Sequence, residues 1–530
     1  MNAATAPQPW WETRGFVIAL MVLAIVPLIV PEVPPLVDLP GHMGRYRIAL
    51  GGSPLLDRYY SFHWLLSGNV GGDLVMVPLS RLLGVEAATK LVVMAIPVGI
   101  VGALFALARE VYGRAPPTLA LAVPLIYTQP FLFGFLNYML GVTAMLWTLW
   151  LFIRLGNSGL TRLRAALLLP LSGAVFLLHA SAWGLLGLMA FAAELTRRRQ
   201  GGDGRSRAVR SSVLALLPLA PPLVLLLWWQ SSASGRTRFQ FDPLAKLMWV
   251  MFNSRDRWAT PDIMMGLALT IAVPTLWWRR EVRWNASFGV AAVLIAVVYC
   301  LMPFFLFGSG YADLRLVPVL LMAVVLAMAP PSDEHAAFAR VAAFGAVAFT
   351  VLRIALVTAS FFVAAREQAA TLPALGHVER GARIAVAVGD QCGGWALHRN
   401  DHIGSMAIVR REAFSNDQWY LPGSVAVETH YPQAGAYAHD RAQLLSHSGC
   451  PPNILDTYMR GLPAAAFDYV WLISAPPMPA EQLSRWRLVY SAPGSMLYRR
   501  IDAPISAATA PSPGSKASPA PPATGAAPPR

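Results

Sequence analysis

The feature that most constrains this chain is the grouping of its apolar residues into separate blocks of about 15 to 24 residues. A helix rising about 1.5 Å per residue needs a block of that length to cross about 30 Å of hydrocarbon. Hydrophobic residues make up 56% of the 530 and charged residues only 13%, so a water-soluble fold has too little polar surface to cover them. The first block, Phe16 to Val30, follows Arg14 and runs into Pro31, Glu32, Pro34 and Pro35 with no small-residue cleavage site, which reads as a retained signal anchor. Further blocks lie near 88–108, 117–135, 137–153, 165–179, 181–195, 212–229, 263–278, 286–307, 315–330 and 341–363. The expected fold class is an all-α polytopic membrane bundle of about eleven transmembrane helices.

Orientation follows from lysine and arginine in the short loops, because cytoplasmic loops retain positive charge during insertion. Alternate loops carry Arg109 and Arg114, then Arg154, Arg162 and Arg164, then Arg197 to Arg199 with Arg205, Arg207 and Arg210, then Arg279, Arg280 and Arg283. This parity requires a cytoplasmic N-terminus and keeps the moderately apolar stretch Phe62 to Leu83 on the outer surface. The expected organisation is a bundle over 1–366 with outer loops 31–87 and 230–262, a small periplasmic α/β domain over 367–503, and a disordered Pro/Ala-rich tail over 504–530. Within 367–503, Arg383 to Val388, Tyr469 to Ile473 and a hairpin around Pro493-Gly494 read as strands, and 402–414 and 480–486 as helices. The expected location is a bacterial inner membrane. Oxidising conditions outside permit a disulfide between Cys392 and Cys450, and two free thiols are the plainer alternative.

The net charge of +14 does not point to nucleic acid, because the arginines are dispersed among loops and form no basic domain with interleaved aromatics. No CxxC or Cys/His cluster has zinc spacing, and no Gly-rich phosphate loop is present, so neither a metal nor a nucleotide cofactor is expected.

Chemistry is expected where polar residues meet the outer leaflet. Asp38 directly follows the first span, and a short amphipathic helix from about His42 to Leu50 places Met43, Tyr46 and Leu50 on a stripe suited to the membrane interface, with His42 and Arg45 on a neighbouring face. The plainer alternative is a solvated carboxylate with arginines snorkelling to lipid phosphates. The second outer loop interleaves Arg236, Arg238, Asp242, Lys246, Arg255, Asp256, Arg257 and Asp262 with Phe239, Phe241, Trp249 and Phe252, which suits contact with an amphiphile or a half-buried interfacial loop. A third element, Gly308 to Arg315, sets Arg315 at the mouth of a span, where a simple ion pair with Asp313 is the alternative. Arg353 lies inside the last span, where an unpaired charge is costly. His42, His63, Asp313 and Arg353 are accessory candidates, and His179 at an outer turn reads as structural.

These elements resemble the GT-C class of integral-membrane glycosyltransferases, of the aminoarabinose transferase and protein O-mannosyltransferase type. The resemblance is carried by Asp38 after the first span, by Arg45-Tyr46-Arg47-Ile48-Ala49, and by Leu74 to Leu83 with Gly84 ahead of Ala87-Ala88-Thr89-Lys90-Leu91. The large outer loop 230–262 and Arg315 with Leu316-Val317-Pro318 extend it over about residues 1–330. The chain departs from the class in following its acidic residue with Leu39-Pro40, which leaves the acceptor type open. The resemblance implies transfer of a sugar from a polyprenyl-phosphate carrier to a periplasmic glycan, lipid or protein hydroxyl. Asp38 would be the general base, and Arg315, with Lys246 or Arg45, would hold the donor phosphate. A transporter or lipid flippase, and a non-catalytic envelope-assembly protein, are the alternatives.

Overall fold

The computed structural model describes residues 8–232, 240–279, 281–306, 309–390, 394–419, 426–439, 443–446 and 454–502. Cys392, Cys450, Arg236, Arg238, Gly308 and the tail from 503 lie outside the described residues.

Helix α1 (Arg14–Ile29) begins where the Thr13 side chain accepts a hydrogen bond from the Phe16 N–H at 3.2 Å, a standard use of threonine at a helix start. Two short helices follow outside it, α2 (Leu39–Ala49) and α3 (Gly71–Leu83), with strand β1 (Tyr60–Phe62) between them. Helix α4 (Val85–Tyr112) packs against α1 and α3 and ends at Gly113, whose φ of 72° provides the left-handed stop that glycine supplies without strain. After α5 (Gln129–Leu132), the bundle continues through α6 (Leu136–Asn157), α7 (Thr161–Leu178), α8 (Ala180–Gln200), α9 (Arg205–Ala215) and α10 (Pro222–Ser232). Glu194 near the end of α8 is buried and accepts from Arg164 of α7 at 3.0 Å as well as from Arg197 and Arg198, so charge ties these two helices together. Helices α11 (Pro243–Met251), α12 (Ala259–Trp277), α13 (Ala286–Leu301), α14 (Leu316–Ala327) and α15 (Ala336–Thr371) complete the helical part, with a two-residue ribbon pairing β2 (Arg283–Trp284) to β3 (Met328–Ala329).

Four described helices, or five if the bent α9–α10 pair is one span, are long and apolar enough to cross a membrane. The chain is thus a multi-pass membrane protein, and among the described residues the other expected spans are shorter, broken or less apolar. Proline accounts for two of the shortfalls, because it removes an N–H and clashes with the preceding turn. The expected span 117–135 contains Pro117, Pro124 and Pro130 and becomes two 3₁₀ turns and a four-residue helix, buried almost throughout. The block 212–229 contains Pro218, Pro221 and Pro222 and bends by 68°. Helices α1, α12, α13 and α14 are apolar but each has a qualifying apolar stretch of under 18 residues. Helix α3, with 13 residues, covers only about 20 Å and is too short to span.

The C-terminal region is a mixed sheet. Strand β4 (Arg383–Asp390) is central, with β5 (Phe414–Ser415), β7 (Gln443–Ser446) and β8 (Tyr469–Ile473) parallel to it; β10 (Ser495–Arg500) runs antiparallel to β8, and β9 (Trp486–Ala492) closes the hairpin through Pro493-Gly494. Helices α16 (Met406–Arg411) and α17 (Leu455–Gly461) accompany it. The expected helix at 402–414 is a 3₁₀ turn followed by only six α-helical residues, and 480–486 is a 3₁₀ turn that gives way to β9 at Trp486. Helix α15 runs on to Thr371, past the expected boundary at 366/367.

This region clamps the segment between α1 and α4. Strand β6 (Val427–Thr429) pairs antiparallel with β1, Arg410 bridges Glu32 and Glu86 at 2.7 Å each, and Arg47 pairs with Glu412. On α2, a Cβ at Gly41 would lie 2.6 Å from the Trp419 ring, and one at Gly44 would lie 2.5 Å from the Gln418 amide. Those two glycines let the segment 405–419 lie directly on the helix. Met43 and Tyr46 are consequently buried, so the stripe expected at the membrane interface is interior packing.

Candidate active site

Asp38 is set by a close backbone approach. Its N–H donates to the Phe133 carbonyl at 2.8 Å, and the Val37 N–H to the Leu132 carbonyl at 3.1 Å. Gly134 makes this possible: its φ is +82°, and a Cβ there would stand 3.1 Å from the backbone nitrogens of Asp38 and Leu39. Asp38 occupies the N-cap of α2, yet its carboxylate bonds to none of the helix N–H groups. The usual structural use of an aspartate at this position is therefore absent, and about 25% of the side chain remains accessible. Burial raises its pKa to about 6, against the opposing charges of His402 and Arg315.

Arg315, at the N-terminus of α14, lies close enough for its charge to act on the Asp38 carboxylate. Its guanidinium lies 4.4 Å over the Phe135 ring, and donates to the Gly310 carbonyl at 2.7 Å and the Ser309 hydroxyl at 3.2 Å. Its Nε has no hydrogen-bond partner among the described residues, and no described carboxylate lies within ion-pair distance. Tyr311, in the turn before it, holds a left-handed φ of 57° and packs edge-on to Phe133, Phe304 and Trp249. A strained non-glycine residue in a turn shared with Arg315 marks a conformation imposed by its surroundings.

The alternative reading of Arg315, an ion pair with Asp313, does not hold. Asp313 pairs instead with Lys246 at 2.8 Å, and the same ammonium donates to the carbonyls of Tyr299 at 3.0 Å and Met302 at 2.8 Å. All three ammonium protons are thereby used, which removes Lys246 from the set of free cations. Arg45 is likewise committed, making two contacts of 2.9 Å to the buried Asp73 of α3. Arg353 donates to Asp262 at 3.1 Å and to the Tyr127 carbonyl at 3.1 Å. His63 is exposed beside Ser61 and Glu428 on the β1–β6 ribbon. His42 is half-buried, its ring tilted against Trp419 at 5.0 Å, and it is held well below the usual histidine range by desolvation and by the Arg45 and His402 charges. Of the candidates read from the sequence, Asp38 and Arg315 lie within range of each other's charge, whereas Arg45, Lys246, Arg353 and His63 are engaged with other partners.

Sequence reading missed the contribution of the C-terminal region. His402 Nε2 lies 3.9 Å from an Asp38 oxygen, and its Nδ1 lies 3.4 Å from Asp417, an ion-pair distance longer than an ordinary hydrogen bond. The other Asp417 oxygen accepts from the Ser405 N–H at 2.7 Å and the Ser405 hydroxyl at 3.0 Å. The His402 ring also packs 4.7 Å from Trp419. Burial opposes a charge on His402, but Asp417, Asp38 and Asp401 outweigh it and raise its pKa to about 9. No periodicity around residues 402 or 417 signals this arrangement; it depends on β4 and β5 pairing in register, with Arg383 opposite Phe414.

The site is thus a carboxylate and a guanidinium at one end of a helical bundle, with the His402 imidazole between the carboxylate and Asp417. It can accept a proton and hold an anion side by side. No family model matches the chain, and no curated protein matches it. Two solved structures are similar over most of its length. The crystal structure of ArnT from Cupriavidus metallidurans bound to undecaprenyl phosphate has 13% identity and a TM-score of 0.44, covering 92% of this chain and 98% of that one. The apo ArnT structure from the same organism has 13% identity and a TM-score of 0.43, covering 91% of this chain and 97% of that one. Likeness at this level leaves the chemistry to rest on the site itself.

Proposed function

We propose that this chain is a membrane glycosyltransferase that moves a sugar from a polyprenyl-phosphate carrier to an acceptor hydroxyl at the outer face of a bacterial inner membrane. The reading is supported by Asp38, whose carboxylate caps no helix, lying within range of the charge of Arg315, whose guanidinium has no ion-pair partner among the described residues. In the reaction, the acceptor oxygen bonds to the anomeric carbon and its proton passes to Asp38. The anomeric carbon–oxygen bond to phosphate breaks, and its electron pair leaves on the lipid phosphate. Arg315 then faces the charge that develops on the leaving oxygen, where a fixed cation in a sheltered site is most effective. General-base assistance of this kind contributes about 10² to 10⁴ in rate. The GT-C-like sequence pattern around Asp38, α3 and Arg315 supports the same assignment. In this reading the shorter apolar helices also cross the bilayer, giving about eleven spans with the N-terminus inside and the C-terminal sheet in the periplasm. The buried Arg353, neutralised by Asp262, has a structural occupation and does not call for a transport pathway.

The test uses full-length protein in detergent with a panel of polyprenyl-phosphate sugars, following release of polyprenyl phosphate. Asp38→Asn should lose turnover but bind the lipid phosphate, whereas Arg315→Ala should lose affinity and rate together. An Asp38→Asn protein that turns over normally, or an Arg315→Ala protein that binds polyprenyl phosphate like the parent, would refute the assignment.

A further inference from the structure

We infer that His402 is a positioning residue for Asp38: the C-terminal sheet region delivers, through the Asp417–His402 pair, a cation that keeps Asp38 ionised and aimed at the acceptor. The inference rests on Asp38 being the base, and it makes the C-terminal region part of the reaction site.

Three observations carry it. The imidazole bridges two carboxylates, 3.9 Å from Asp38 through Nε2 and 3.4 Å from Asp417 through Nδ1, so the two ring nitrogens face opposite acids. Asp417 is fully buried and is itself oriented by the Ser405 N–H and hydroxyl; Ser405 in turn accepts from the Gln418 amide at 2.9 Å, and that amide also donates to the Gly41 carbonyl at 3.2 Å on α2. The support therefore begins in the C-terminal region and ends on the helix that Asp38 starts. Finally, Trp419 packs on both His402 and His42, which fixes the ring plane.

A buried imidazole between two carboxylates gains most when charged, and in that state it favours the ionised form of each acid. The groups facing the pair are consistent with that polarity. Asp417, Asp401 and Asp38 favour the His402 charge, and His42 beside it is held neutral. Arg315 acts on Asp38 in the same sense as His402, while Tyr311 approaches Asp38 from the α14 side without a charge of its own at neutral pH. In the catalytic cycle the acceptor proton resides on Asp38 after attack, and His402 retains its own proton throughout. Asp38 then returns its proton to solvent.

The experiment compares full-length parent, His402→Gln and Asp417→Asn proteins by their kcat–pH profiles between pH 5 and 9, following polyprenyl phosphate release. Removing the His402 cation should raise the Asp38 pKa, so the acidic limb should move to higher pH by about one to two units, with activity largely recovered at pH 9. Asp417→Asn should move it in the same direction by less. A residue needed only for folding would lower the rate at all pH values and leave the limb in place, and that result overturns the inference. If a variant fails to fold, histidine NMR on the parent protein decides the matter: a His402 ring still protonated at pH 8 supports the inference, and one that titrates below pH 6.5 overturns it. Normal turnover by Asp38→Asn would instead remove the base assignment, so the two failures are distinguishable.

Discussion

A desolvated carboxylate such as that of Asp38 should cost the fold stability, and Asp38→Asn measures that cost. The native pKa of Asp38 is about 6 against an ordinary value of 3.8, a difference of about two units or about 3 kcal/mol at about 1.36 kcal/mol per unit. The sign follows from proton binding: between pH 3.8 and about 6 the native state holds more protons at this site than the unfolded state, so stability falls as pH rises through that window. The penalty is fully present above the native pKa and absent below the unfolded one. Asparagine keeps the shape and cannot ionise, so Asp38→Asn should raise stability near pH 7.5. The ceiling is about 3 kcal/mol, reduced by whatever His402 loses with its partner, 3.9 Å away. Thermal unfolding in detergent, followed by tryptophan fluorescence at pH 7.5 and pH 4, should show a gain at the first pH that shrinks at the second. A variant less stable than the parent at pH 7.5, or a gain of equal size at both, would refute the argument.

Gly134→Ala should lose about 1–2 kcal/mol for the left-handed backbone, and lose activity more steeply than stability, because the new Cβ presses on the Asp38 nitrogen; thermal shift and turnover measured side by side check this. Arg353→Ala leaves Asp262 buried without its cation and should cost about 3–5 kcal/mol, visible as lost membrane yield, while Arg353→Met with Asp262→Asn should recover much of it. Asp256→Ala should loosen the C-terminal region from the bundle, since this carboxylate joins Arg399 to Ser360 of α15; faster amide exchange in 395–419 is the expected readout.

Much of the site's vocabulary was readable in one dimension. Asp38 stood out as a carboxylate following an apolar span, and Arg315 because it precedes a span opening, although a solvated carboxylate and a simple ion pair were the plainer readings of the two. The sorting of cations was not readable. Arg45, Lys246 and Arg315 look alike as basic residues near the outer face, yet Asp73 takes the first and Asp313 the second, leaving Arg315 without an ion-pair partner among the described residues. Likewise, the Met43 and Tyr46 stripe fits a membrane interface and a protein interior equally well, and the glycines at 41 and 44 decide for the interior only once residues 405–419 arrive.

Hydropathy is a local property, so the sequence by itself determined that the chain enters a membrane repeatedly, where most of its apolar helices lie, and which polar residues gather near their ends. Proline positions limited how many of those blocks became long helices, also a local effect. Only the tertiary structure decided which acid each base meets and that His402 and Asp417 stand behind Asp38. The physical reason is that an ion pair forms between whatever groups chain closure brings within a few ångströms, and nothing in the spacing of residues 38, 315, 402 and 417 encodes that closure.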